Sequence, residues 1–145
     1  MQIPEYISKE EVRRVCKEMG LSDWTQMAEP KVDLEEARKA QAEVGAEAAE
    51  ISLEEFRQGL EVELEHGLQF PDANVTNNHP ILTGKIVLAH LKETLDYYTR
   101  LEVAELEGDL LKASRKGDAE KLSKVYRKLL EARVSLSQKE FEQSQ

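Results

Sequence analysis

Two helix starts are written into this chain in the same four-residue form, Ser8-Lys9-Glu10-Glu11 and Ser52-Leu53-Glu54-Glu55. That form limits the fold more than any other feature. In each, the serine oxygen accepts an orphan N–H of the first turn while the glutamate three residues on reaches back to the serine N–H. Apolar residues follow at three- and four-residue steps, Val12, Val15, Cys16 and Met19 after the first and Leu53, Phe56, Leu60 and Leu64 after the second. This is the spacing of a single helix face. Gly20 and Gly67 are natural stops. Asp33-Leu34-Glu35-Glu36 offers another N-cap with an acidic first turn. Pro80 behind Asn78-His79 reads as the first residue of a helix running to about 107. Lys116-Gly117-Asp118 reads as a stop followed by a start, with a last helix from about 118 toward 142. No stretch alternates as a half-buried strand does. The expected fold class is all-α, a helical bundle of about five helices with a central antiparallel hairpin over residues 52 to 107.

The 145 residues suffice for one helical domain with a single core. Charged residues make up 34% and aromatics 6%, which predicts a modest core under an extensively solvated surface. The lone cysteine, Cys16, excludes an intrachain disulfide and lies on an apolar helix face. No apolar run approaches the ~20 residues of a membrane span and no leader pattern opens the chain, so a soluble, cytoplasmic protein is expected.

Charge is divided unevenly. Residues 1–110 carry 11 Lys/Arg against 24 Asp/Glu, and residues 111–145 carry 9 against 5. An acidic body therefore precedes a basic C-terminal arm. This division suits a protein partner or self-association through body and arm; a nucleic-acid partner is not expected, because the whole is acidic and the arm lacks aromatic interleaving.

Trp24, after the Gly20 stop, is expected to anchor the turn against the core. The segment from 33 to 50 is rich in Ala and Glu and poor in large apolar residues, so it reads as a peripheral helix with little to bury. Glu63 falls on the inward edge of the Phe56 stripe and needs a partner, whereas Glu61 and Glu65 point away. The loop from 68 to 79 holds Asn74, Thr76, Asn77 and Asn78, residue types that bond backbone groups locally. In the following helix apolar residues lie on both sides, which predicts a sandwiched element and a buried His90. In the last helix Leu122, Val125, Tyr126, Leu129, Leu130 and Leu136 form one broad face.

The run Gly20…Asp23-Trp24, Phe56-Arg57-Gln58-Gly59, Glu63 to Gly67, Asn74-Val75-Thr76, His79-Pro80, Thr83 to Ile86, Ala89 to Leu91 and Asp96 to Leu101 resembles a bacterial and phage family catalogued only as a domain of unknown function. The resemblance covers about 10–105 and implies a family-like core of about 10–24 and 52–105, a helical insertion of about 25–51 and a C-terminal helical arm of about 108–145. The chain departs from the pattern at His79, where the family carries an acidic residue, and at Leu95, where it carries proline. The resemblance implies no activity.

Two readings of the chemistry stand side by side. Glu63-x-x-His66 and His90-x-x-Glu93 each put a carboxylate and an imidazole on one helix face. Facing one another, Glu63, His66, His90 and Glu93 would make a mixed N/O set suited to zinc, iron or manganese. A tight hairpin, however, would put His90 opposite Phe56, so the loop would have to displace one helix along the other. In the alternative the protein is a non-enzymatic interaction or assembly module without cofactor. The histidines and Glu93 then hold the asparagine loop in a structural network that draws in Asn74, Thr76, Lys85 and Tyr97. No nucleophilic constellation is present: Ser135 and Ser137 have no nearby histidine, and Thr83-Gly84-Lys85 lacks the glycine-rich stretch of a phosphate loop. Whether the chain is an enzyme stays open at this point.

Overall fold

The computed structural model describes residue 4 and residues 6–145. Among them the fold is all-α, with seven helices and no strand: α1 (Lys9–Met19), α2 (Leu34–Val44), α3 (Ala46–Ala49), α4 (Leu53–Gln69), α5 (Pro80–Glu93), α6 (Tyr97–Lys116) and α7 (Ala119–Gln143), with short 3₁₀ turns at Trp24–Gln26 and Pro71–Ala73. The five expected helices become seven because two of them break. Helix 33–50 breaks at Gly45, whose φ of 126° lies outside the helical region. The helix expected to run unbroken from 80 to about 107 breaks at Thr94–Asp96. There the Thr94 hydroxyl donates to Asp96 Oδ1 at 2.5 Å, while Arg100 Nε and Nη2 donate to the same carboxylate at 2.8 and 2.7 Å. Short polar side chains bonded in this way compete with the helical ladder. Burial pushes the Asp96 carboxyl up, but the bonds from Arg100 and Thr94 hold it, on balance, below the usual carboxylate range.

Capping sets the other boundaries. Ser8 accepts from Glu11 N and Ser52 from Glu55 N, each at 3.2 Å. Gly20, left-handed at φ 63°, closes α1, with Leu21 N donating to Cys16 O.

The chain divides into two compact units, residues 1–92 and 93–145. In the first, α2 packs on α4. Phe56, Leu60 and Leu64 of α4 are fully buried, and so are Ala37, Ala40 and Ala48. The segment 33–50 is therefore not peripheral, which corrects the expectation from its composition. Its alanines are small enough to let α2 approach α4 closely, so it buries backbone and methyl groups where a large-residue helix would bury side chains. Polar bonds tie it in further. Buried Gln41 donates to Ala48 O at 2.8 Å and Ile51 O at 2.9 Å. Glu36 accepts from Trp24 Nε1, and Lys39 donates to Gly20 O. Glu61, expected to point away, accepts from Val32 N at 3.1 Å.

Trp24 is fully buried, and Val12, Val15 and Cys16 of α1 belong to the same core. Burial raises the Cys16 thiol pKa, as suits an inert structural cysteine. Gly84 of α5 lies against Phe56 and Val44.

The second unit is an antiparallel pair, α6 with α7, joined through left-handed Gly117 and the Asp118 cap. Glu107 meets Arg133 at 2.7 Å and Arg100 meets Glu140 at 2.8 Å, so residues further back on α6 pair with residues further along α7. Val125, Leu129 and Ala132 are buried.

Candidate functional site

The asparagine-rich part of the loop from 68 to 79 folds as a clasp at the C-terminal end of α4. Asn74 Nδ2 donates to Gly67 O at 3.2 Å and to Asn78 Oδ1 at 2.8 Å, and Thr76 Oγ1 donates to Asn74 Oδ1 at 3.3 Å. Asn78 Nδ2 then reaches Trp24 O at 3.2 Å, and Asn77 Nδ2 reaches Ile7 O at 2.6 Å. Asn77 and Asn78 both adopt left-handed backbone, φ 48° and 63°, a conformation asparagine tolerates better than other side-chain-bearing residues.

Gly67 does not end α4, contrary to expectation; the helix continues to Gln69. A Cβ at position 67 would lie 2.6 Å from Asn78 Oδ1 and 2.8 Å from Asn74 Nδ2. Glycine is needed there for space rather than for a turn.

His79 is buried, and its Nδ1 accepts from Leu82 N at 3.4 Å. The neutral imidazole thus stands where an acidic cap would accept at the start of α5. Burial pushes its pKa below the ordinary value, Glu11 pulling it up and Arg14 adding to the depression. A histidine depressed in this way stabilises the fold above its unfolded value near ~6.5, and that contribution is lost as pH falls through the lower folded value. Urea unfolding should therefore show stability declining from pH 7 to 5 in the wild type and declining less in His79→Asn. Parallel declines would rule out His79 as the source.

The tight-hairpin register is not adopted. Gly84 lies over Phe56, and His90 Nε2 comes within 3.6 Å of Glu63 Oε1. His90 is not buried as expected: its side chain is 32% exposed, against 17% for Glu63. His66 is exposed, and shares with Glu63 a hollow of about 160 Å³ that Phe70, Val75, Thr76 and Ile86 also line. Glu93 is exposed at the end of α5, Lys85 is exposed, and Tyr97 begins α6 half-buried. Among the described residues no three His, Cys, Asp or Glu side chains are grouped so as to hold a metal ion.

The feature the sequence reading missed lies on α7. The broad face expected there is two faces. Val125 and Leu129 point inward, whereas Tyr126 and Leu130 are 49% and 45% exposed, and Val134 and Phe141 are 69% and 64% exposed. At ~100° per residue, Ser123, Tyr126, Leu130, Val134, Ser137 and Phe141 fall in a sector about 80° wide. No charged residue of α7 shares it. The signal was the spacing of Tyr126, Leu130, Val134 and Phe141 at steps of four, four and seven residues, which returns to one helix face.

Among the described residues no helix is long and apolar enough to cross a membrane. No curated protein and no solved structure matches the chain. A family described as "protein of unknown function (DUF5661)" matches residues 12–107 of the 145, leaving α7 beyond the matched region. The chain belongs to that family.

Proposed function

We propose that the chain is a non-enzymatic helical interaction module that docks through the outward face of α7. One observation carries the reading: four large apolar side chains, each about half exposed or more, share one uncharged sector of a 25-residue helix. A contiguous exposed apolar strip of this kind marks interaction surfaces, because covering it recovers ~25 cal/mol for each Å² removed from water. The asparagine clasp supports the same reading, since its polar groups are used on backbone carbonyls within the fold. A photo-crosslinking amino acid at position 134 should give covalent adducts in cells, whereas the same probe at position 128 should not. Equal adducts from both positions, or none from 134, would sink the reading.

A second reading, metal binding, is favoured by the approach of His90 to Glu63, which itself lines one hollow with His66. Zinc, iron or manganese held there would need a further donor to complete a site. Elemental analysis and zinc titration of the wild type against His90→Ala decide it; no retained metal and no titration difference would dispose of it.

A further inference from the structure

Resting on the α7 reading, we infer that the occupant of this face is a second copy of the same face, laid antiparallel across a two-fold axis at the level of Ala132. Such an axis makes the contact self-complementary, each position meeting the one equally far from Ala132 on the other helix. Leu130 then meets Val134 at the centre. Phe141 meets Ser123, and Tyr126, six residues from the axis, falls within one residue of the level of Ser137, five residues from it, so each large ring lies beside a small residue at the outer layers. Interdigitation of large with small side chains is what close packing between helices requires.

Charge chooses the direction. The first half of α7, residues 119–130, carries Lys121, Lys124, Arg127 and Lys128 against Glu120 alone; the second half, 131–143, carries Arg133 and Lys139 against Glu131, Glu140 and Glu142. Antiparallel pairing sets a half of net +3 along a half of net −1. Parallel pairing would set +3 along +3, a repulsion that disfavours that arrangement. The like charges nearest the axis are the two Arg133 side chains, and each is held 2.7 Å from Glu107 of its own chain.

Length agrees. The sector, about 80° wide from Ser123 to Phe141, runs nearly parallel to the helix axis, so two α7 helices can stay in contact over most of their ~37 Å. A seam of that length buries on the order of 1,200 Å² in total, at the lower edge of stable specific interfaces. A contact of that size is expected to be a reversible dimer, within the concentration range that sedimentation can follow.

The test is sedimentation velocity of the full chain from ~1 to ~100 µM, with Val134→Glu and Phe141→Glu alongside. The wild type should pass from monomer to dimer, and each variant should weaken association at least about tenfold. Both substituted side chains are exposed, so the variants should keep the wild-type circular dichroism and melting temperature. Direction is read by oxidation: Ser123→Cys mixed with Phe141→Cys should cross-link, whereas neither should alone, and Cys16 is buried and does not compete. Self-linked Ser123→Cys would overturn the antiparallel arrangement. A dimer untouched by both glutamate variants would overturn the proposal by placing the interface elsewhere. A wild type monomeric throughout would overturn it too. In that event adducts from position 134 to other proteins would leave the α7 docking reading standing, and their absence would remove both.

Discussion

Gly84→Leu should destabilise the chain by about 3 kcal/mol or more, read as a shift in the urea unfolding midpoint. A Cβ at position 84 would lie 2.6 Å from Val44 Cγ2 and 3.1 Å from Phe56 Cζ. Phe56 is fully buried and has no open space to swing into, and Val44, half-buried at the end of α2, is a short β-branched side chain with restricted χ1 freedom. Gly84→Ala separates two opposing effects. The methyl gains ~1 kcal/mol of helix propensity but meets an overpacking cost of ~1–3 kcal/mol, so a smaller net loss is expected. Because the closest atom belongs to Val44, Val44→Ala should return much of what Gly84→Ala loses, a coupling that a double-mutant cycle measures directly. Additive effects of the two would show that α5 does not rest on the end of α2.

Asn78→Leu should cost a comparable ~3 kcal/mol for a different reason. The left-handed backbone at 78 penalises a branched apolar side chain by ~1–2 kcal/mol, and the Trp24 carbonyl loses a buried donor at ~1–3 kcal/mol. Asn78→Gly keeps the backbone conformation and removes only the bonds, so it should fall between wild type and leucine. Equal losses in the glycine and leucine variants would mean that backbone conformation at 78 contributes nothing.

What was legible in the sequence depended on how locally each feature is determined. Ser8, Ser52 and Asp118 cap helices because their partners are three residues away, and all three were readable. Gly67 was misread as a stop because its reason is seven and eleven residues distant, in Asn74 and Asn78. Composition concealed the value of segment 33–50: Ala37, Ala40 and Ala48 bury little surface each, yet all three are fully buried, and the smallness of Ala37 and Ala40 lets α2 come close to α4. Glu63 was rightly read as an inward carboxylate in need of a partner, and His90 stands beside it. The pairing could not be foreseen because it depends on how far the loop from 68 to 79 carries α5. The two faces of α7 were merged because Val125 and Tyr126, or Leu129 and Leu130, are adjacent in sequence while only one of each pair turns inward.

The missing Cβ at Gly67 also bears on how such a sequence can change over time. Positions 67, 74 and 78 share one small volume: a side chain at 67 takes the space that the two asparagine amides occupy. Single replacements at any of the three meet a vacancy or a collision, whereas a concerted exchange, bulk at 67 with shorter residues at 74 and 78, conserves the filled space. Tolerated variation at these sites should therefore arrive in sets, and a library varying them together should yield folded members that no one-at-a-time scan would reach.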